Sequence, residues 1–430
     1  MNSLADWLVH LENLHPKGQA GIVLGLERVA RVKDALQQTQ RCPLIVVGGT
    51  NGKGSTCAYL EAIYAFAGYR VGCYTSPHLL EYNERVRIDR APVDDETLCR
   101  AFARVEAARQ AAGGVALTYF EFGTLAAWEV FAACAVEVLI LEVGLGGRLD
   151  AVNVYDADCA LVTAIALDHT EWLGTTREAI GFEKAGIYRP GKPAICADPE
   201  PPQSLIDQAA AIGADLHLLG RDFGAVAEAA QWTFWARNGA RRSALPRPAL
   251  PGACQVRNAA AALAVVELLA DRLPAPAPAI HRGLVEIDLP GRFQILPRRP
   301  GSPVIILDVA HNPQAVATLA GNLAMMDPCA QTIAVVGMLA DKDIAGALAA
   351  LEGKIDIWLL AGLAPPRGAP ASLLAAVVAE NRLGGSVECF ASPAQAFTCA
   401  AKRAGEDDRI LVFGSFLTVA AAMRAMKAAG

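Results

Sequence analysis

Residues Ile45-Val46-Val47-Gly48-Gly49-Thr50-Asn51-Gly52-Lys53-Gly54-Ser55-Thr56 run from an apolar stretch through a glycine-rich turn to a lysine and two hydroxyls, and an apolar helical pattern starts at Ala58. Each part answers the problem of holding a polyphosphate. Glycines let successive backbone N–H groups turn inward, and a helix start adds unpaired donors and a positive dipole end. Lys53 neutralises phosphate charge, and Ser55 or Thr56 is placed to hold Mg2+. Thr50, Asn51, Gly52, Lys53, Gly54, Ser55 and Thr56 are thus the candidate contacts to a nucleoside triphosphate. The general phosphate loop keeps Gly-Lys-Ser/Thr contiguous; here Gly54 separates Lys53 from Ser55.

Composition narrows the class. The chain has 430 residues and 53% hydrophobic content, with short Val/Ile/Leu runs alternating with Ala-rich helical patterns. That alternation predicts an α/β protein with parallel sheets buried on both faces, in two or three domains. A net charge of −6, with no basic cluster beyond Arg241-Arg242 and Arg298-Arg299, speaks against a nucleic-acid partner. Eleven scattered cysteines without a CxxC pair suit reduced thiols better than a disulfide framework. Met1 to Trp7 lack the features of a signal peptide, and the longest apolar runs, broken by Glu137 and Glu142, are too short for a bilayer. A soluble cytoplasmic protein without a membrane partner is expected.

Further strands should end near the phosphate loop. Arg70 to Tyr74 delivers Thr75-Ser76-Pro77-His78, where Ser76 is either a hydroxyl beside the phosphates or part of a strand-ending turn. Val138 to Gly144 is a strand carrying Glu142 at its end, where a Mg2+-organising carboxylate belongs, and an unpaired carboxylate would be costly to bury. Cys159 to Ile165 leads to Asp168-His169-Thr170. Ser76, Glu142 and His169 on one rim make a hard-cation site with water completing the shell. Locally, Thr118 and Glu121 read as a helix capping box, and Tyr119 and Phe120 as core aromatics. Lys184 is either a solvated helix lysine or a cation near the phosphates. Trp232 to Trp235 suggests a β-hairpin, and Val256 begins a helix with Asn258 in its first turn.

Pro297-Arg298-Arg299-Pro300-Gly301 is the best linker, dividing the chain into domains 1–296 and 297–430. Beyond it, apolar strands at 304–309, 332–337, 355–361, 386–390 and 409–413 alternate with helices, a Rossmann-like domain of ordinary size. It has no glycine-rich loop of its own. Its first strand delivers Asp308 and His311, its last Ser415, so it is expected to offer a second substrate surface.

Taken together, Gly49 to Ser55, Thr75 to Leu79, Leu117 to Glu121 and Leu141 to Asp150 resemble the bacterial dihydrofolate synthase/folylpolyglutamate synthase family, relatives of the Mur ligases. Leu167 to Thr170, Glu183 to Ile187, Pro290 to Phe293 and Asp308 to Pro313 continue the likeness along nearly the whole chain. The inserted Gly54 is itself a family feature. The resemblance implies a P-loop ATPase-like domain followed by a Rossmann-like ligase domain. It implies an ADP-forming ligase that adds L-glutamate to dihydropteroate and to reduced folates through an acyl phosphate. Alternatives are folylpolyglutamate synthesis alone, a Mur-type or cyanophycin-type ligase acting on another carboxylate, or a nucleotide-dependent switch.

Carried over by position, Lys53 is catalytic, Ser55, Ser76, Glu142 and His169 hold one or two Mg2+, and Asn258, Arg292 and Asp308 contact ATP. His311 and Ser415 line the glutamate side. Lys184 matches a lysine carbamylated in the family, and a monovalent cation is a further expected cofactor. The pterin-bearing substrate should lie against Leu24, Gly25, Thr118, Tyr119, Phe120, Glu121 and Asp150. Val23 stands where the family's loop carries an acidic residue. The chain is expected to act as a monomer.

Overall fold

The computed structural model describes residues 3–16, 18, 21–228, 230–298 and 300–429; Met1, Asn2 and Arg299 of the sequence reading lie outside the described residues. The chain forms two compact units, Met1–Ala249 with Val256–Ile287, and Leu250–Gln255 with Asp288–Gly430.

The first unit is built on an eight-stranded sheet: β1 (Leu44–Gly48), β2 (Val71–Tyr74), β3 (Val86–Ile88), β4 (Ala91–Pro92), β5 (Val138–Glu142), β6 (Cys159–Val162), β7 (Pro193–Cys196) and β8 (Asp215–Leu218). Their order is β4-β3-β2-β5-β1-β6-β7-β8. The six strands from β2 to β8 in that order are parallel, and the β3–β4 hairpin adds an antiparallel edge. Strand periodicity divides the apolar runs between two faces. Leu44, Val46, Leu139, Leu141, Ala160 and Val162 share a core with Trp7, Leu11, Val29, Phe102, Phe122 and Trp128 from the helices Leu4–Leu14, Glu27–Leu36, Asp95–Ala111 and Tyr119–Ala133. The intervening Ile45, Val47, Ile140 and Leu161 are equally buried. The helices Lys53–Phe66 and Ala277–Val285 meet where Gly283 backs onto Ile63, so closely that a Cβ on Gly283 would lie 2.5 Å from Ile63 Cγ1.

A separate antiparallel sheet orders β9 (Phe223–Ala227), β10 (Gln231–Ala236) and β11 (Arg241–Pro246) as β11-β10-β9, so Trp232 to Trp235 lie on its central strand. The next helix spans Ala253–Leu268 and starts directly after Pro251-Gly252. That earlier start puts Asn258 in the second turn, not the first.

In the second unit, β12 (Gln294–Ile295), β13 (Val304–Leu307), β14 (Thr332–Val336), β15 (Ile357–Ala361), β16 (Ser386–Phe390) and β17 (Arg409–Phe413) are ordered β12-β13-β17-β14-β15-β16. All are parallel except β12, which pairs antiparallel with β13, Gln294 opposite Leu307. This pairing explains why the units divide at Ile287/Asp288 and not at 296/297. Pro297, Arg298, Pro300 and Gly301 fall inside the second unit, between the paired strands β12 and β13. No described helix is long and apolar enough to cross a membrane.

Candidate active site

The loop after β1 is shaped by two glycines that cannot carry side chains. Gly49 has φ +135°, and a Cβ there would sit 1.8 Å from Thr163 Oγ1; Gly52 has φ +93°, and a Cβ there would sit 2.7 Å from Asn258 Oδ1. The loop thus lies directly on the end of β6 and on the helix that carries Asn258. Thr163 Oγ1 stands 3.1 Å from the Gly48 carbonyl and 2.8 Å from the Asn51 carbonyl. The Thr50 N–H donates to Ala164 O at 2.6 Å. Lys53 folds back across the loop, its Nζ donating to Gly49 O at 3.1 Å and Thr50 O at 3.2 Å. The Thr56 hydroxyl donates to Gly52 O at 3.0 Å, so of the two candidate Mg2+ hydroxyls Thr56 is turned into the helix.

Strand order decides what surrounds the loop. Because β2-β5-β1-β6 are adjacent and parallel, Ser76, Glu142, the phosphate loop and His169 all follow strand ends on one edge of the sheet. Glu142, opposite Val47 and 5% exposed, accepts the Ser76 N–H at 3.1 Å. His169 has φ +53° and starts the short helix Thr170–Leu173; its N–H donates to Asp168 Oδ1 at 2.9 Å. Hydroxyl, carboxylate and imidazole are donors a hard divalent cation accepts. Among the described residues no group of three or more His, Cys, Asp or Glu gathers, so such a cation would take its remaining ligands from hydroxyls, water and phosphate oxygens.

Two buried groups have their titration drawn to the same pH from opposite sides. Burial lowers the Lys184 ammonium to about 7, and repulsion from Lys53 adds to it, while Asp168 and Asp150 act against the shift. Burial raises the Asp150 carboxyl to about 7, opposed by the backbone amides it accepts and by Lys53. Those amides include Leu145 N–H at 2.8 Å and Val152 N–H at 3.0 Å. The loop bearing Asp150 packs on the end of the helix Arg177–Ala185 that carries Lys184: a Cβ on Gly147 would lie 2.8 Å from Glu183 O and 3.0 Å from Lys184 O.

The residues assigned to the pterin separate into two groups. Around the 144–150 loop, Gly25 N–H donates to Leu149 O at 3.2 Å, and the Phe120 ring lies so close to Gly144 that a Cβ there would be 2.7 Å from its Cζ. Leu24, Gly25, Phe120 and Asp150 are thereby drawn together. Thr118 and Glu121 form the capping box expected from local pattern, with Thr118 N–H donating to Glu121 Oε2 at 2.7 Å and Glu121 N–H to Thr118 Oγ1 at 3.2 Å. Tyr119 packs edge-on to Tyr82 and under the Arg85 guanidinium, inside the aromatic core. Arg28, unmarked in the sequence reading, donates to Glu121 Oε1 at 2.7 Å and to Val23 O at 2.9 Å.

In the second unit, Asp308, Arg292, His311 and Ser415 gather beyond the adjacent ends of β13 and β17. Gly414 N–H donates to Ala310 O at 3.0 Å and joins the two loops. Asp308 accepts Phe293 N–H at 2.8 Å and Ala310 N–H at 2.7 Å; burial nevertheless raises its carboxyl above the usual range, against the pull of the Ala310 amide and Arg292. His311 Nδ1 donates to Val309 O at 2.8 Å, which fixes the proton on that nitrogen. Ser415 Oγ accepts Leu417 N–H at 3.1 Å. Phe416, overlooked in the sequence, lies under the Arg292 guanidinium at 5.0 Å and faces the His311 ring at 6.5 Å.

The Mur ligase, glutamate ligase domain family matches residues 291–416. The dihydrofolate synthase/folylpolyglutamate synthase of Escherichia coli (strain K12) is 46% identical over 426 residues, covering 99% of this chain and 96% of that one. E. coli FolC in complex with DHPP and ADP shares the fold at a TM-score of 0.92 and 45% identity, over 100% of this chain and 98% of that chain. A bifunctional folylpolyglutamate synthase/dihydrofolate synthase with Mn, AMPPNP and L-glutamate bound matches at a TM-score of 0.89 and 44% identity, over 99% and 98%. Such identity, sustained across both units and not confined to the nucleotide loop that many ATPases share, means that this chain belongs to the dihydrofolate synthase/folylpolyglutamate synthase family.

Proposed function

We propose that this chain is an ADP-forming ligase that joins L-glutamate to dihydropteroate, giving dihydrofolate, and to reduced folates, giving polyglutamates. The observation that carries the reading is the strand order β2-β5-β1-β6, which lines up Ser76, Glu142, the phosphate loop and His169 along one sheet edge, with Asp150 and Lys184 buried beside it. A carboxylate is a poor acyl donor. Transfer of the γ-phosphoryl group to the substrate carboxylate oxygen releases ADP and gives an acyl phosphate, whose carbonyl the glutamate amine attacks. The amine loses a proton, and phosphate leaves. Little covalent chemistry falls to the protein, so its residues chiefly position groups and neutralise charge.

Lys53 and the amides of Thr50 to Ser55 hold the β- and γ-phosphates, and Asn258 packs against Gly52 on the same loop. Ser55, Ser76, Glu142 and His169 would hold the Mg2+, which would supply positive charge to offset that developing on the transferred phosphoryl group. Arg292 and Asp308 contribute to ATP binding, and His311 and Ser415 to the glutamate side. Leu24, Gly25, Thr118 to Glu121 and Asp150 take the pterin. Lys184 is carbamylated: a buried amine pushed to about 7 is substantially neutral at physiological pH, the form that captures CO2, and the carbamate so formed is an anion beside Lys53. A monovalent cation assists. We take the enzyme to act as a monomer in the cytoplasm, where its eleven free thiols stay reduced.

Mass analysis of products formed from ATP and glutamate, with either dihydropteroate or tetrahydrofolate, tests the reading. One glutamate added to each substrate, with stoichiometric ADP, is expected. Product from tetrahydrofolate alone would reduce the activity to folylpolyglutamate synthesis, and product from neither would overturn the assignment.

A further inference from the structure

Arg28 joins the loop just before its own helix to a helix start more than ninety residues away in sequence. It lies in the first turn of the helix Glu27–Leu36 and belongs to no conspicuous motif, yet its guanidinium is fully engaged on one side. Nη2 donates to Glu121 Oε1 at 2.7 Å and to Val23 O at 2.9 Å, and Nε donates to Glu121 Oε2 at 3.3 Å. Nη1 backs onto Gly25, 3.9 Å from where a Cβ would stand. Glu121 in turn accepts the Thr118 N–H through Oε2 at 2.7 Å. One planar fork therefore ties the 21–25 loop to the first turn of the helix Tyr119–Ala133. The Glu121 side chain is 4% exposed and that of Arg28 26%, so the pair is shielded on one side and open on the other.

We infer that Arg28 is a positioning residue that sets specificity for the pterin-bearing substrate, by holding the Leu24-Gly25 loop and the Thr118–Glu121 turn at a fixed separation. The inference rests on the proposed function for the identity of the substrate. Val23 has no polar side chain to reach a ligand or a wall of the pocket, and it is its carbonyl that Arg28 holds. The fork therefore anchors the loop through a backbone acceptor. A lysine could supply the charge but not two parallel donors to one carboxylate plus a third to a carbonyl. Without the fork, Glu121 would keep its cap on Thr118, and the 21–25 loop would lose its tie to the helix Tyr119–Ala133 while keeping the Gly25 N–H bond to Leu149 O and the Gly21 N–H bond to Gly18 O.

The full-length Arg28→Ala and Arg28→Lys variants test this. Arg28→Ala should raise the KM for dihydropteroate about tenfold or more, while the KM for ATP and kcat at saturation change less than about threefold. Arg28→Lys should recover only part of the loss. Hydrogen exchange at the Leu24 and Gly25 amides should quicken in both variants, with the Gly49–Lys53 amides unaffected. Equal rises in both KM values, or unchanged exchange at Leu24 and Gly25, would overturn the inference. A wild-type chain that fails to use dihydropteroate or any folate would overturn the functional reading instead, and the exchange measurement would still decide whether Arg28 holds the loop.

Discussion

Lys184 and Asp150 carry the sharpest consequences for single residues. An amine lowered from 10.5 to about 7 binds fewer protons folded than unfolded between those values. Its unmodified form therefore costs most stability below about pH 7, and the cost fades as pH rises toward 10.5. The proposed carbamylation would remove that burden and supply an anion. Lys184→Ala should lower ligation about 100-fold with ATP affinity kept within about threefold, and a short carboxylic acid in the buffer should restore part of the rate. Near-normal activity of the alanine variant, or an unmodified mass at Lys184 in active enzyme, would refute the carbamate. Asp150 runs the other way. Raised from 3.8 to about 7, it holds a proton in the folded chain across that window, so its contribution to stability declines as pH rises through it. Under the proposed function, its anion would be the form that accepts a pterin's N–H donors. Dihydropteroate affinity should accordingly tighten between about pH 6 and about pH 8, and in Asp150→Asn that dependence should flatten. A profile identical to wild type in the asparagine variant would remove Asp150 from the pocket.

At the scale of elements, the turn from β1 into the Lys53–Phe66 helix is held as much by β6 as by its own glycines. Thr163 leaves no room for a Cβ on Gly49, and the residue's φ of +135° already disfavours one. Gly49→Ala should weaken ATP binding by more than about 100-fold, because both the backbone strain and the displaced Thr163 move the loop's N–H groups off the phosphates. Gly68→Ala is a fitting control: it too has positive φ, at +94°, but nothing lies within 4 Å of its Cβ position. Calorimetry with ATP should find Gly68→Ala close to wild type. Equal losses in both variants would mean that strain alone, not the contact with β6, disturbs the loop. The capping box at Thr118 and the early start of the Asn258 helix belong to the same scale. At Thr118, two side chains and two backbone N–H groups set where the helix begins.

For the molecule as a whole, the nucleotide site is assembled from strands that are distant in sequence, so a bound nucleotide should stabilise the folded chain. At about 100 times its dissociation constant, ATP with Mg2+ should add about 2.7 kcal/mol to unfolding. A chelator should remove most of that gain, because the uncompensated phosphate charge then meets Glu142. The same chelator should leave the melting of the nucleotide-free chain unchanged if the cation is held chiefly through phosphate oxygens. A fall in melting temperature on chelation without nucleotide would reveal a resident metal. The first unit holds two sheets and the second one, and the core of the second extends from Phe293 to Phe413.

What the sequence determined by itself is local in origin. The phosphate loop, the strand runs and the capping box at Thr118 each depend on the φ/ψ preferences and hydrophobic period of a few consecutive residues, and those are written in the chain. So is the presence of Glu142 and His169 after apolar strands. The tertiary structure decided the rest. It placed β5 between β2 and β1, so that Ser76 meets Glu142, and it set Thr163 against Gly49. It also brought Phe416 under Arg292, drew β12 into the second sheet, and joined Arg28 to Glu121 across 93 positions. Thr163, Phe416 and Arg28 are marked by no motif. Arg28 has the look of any charged residue near a helix start, and Thr163 of any β-branched strand residue. Their roles come from which buried carboxylate or carbonyl remains to be satisfied once the strands have paired, and that depends on long-range packing that no short window of residues contains.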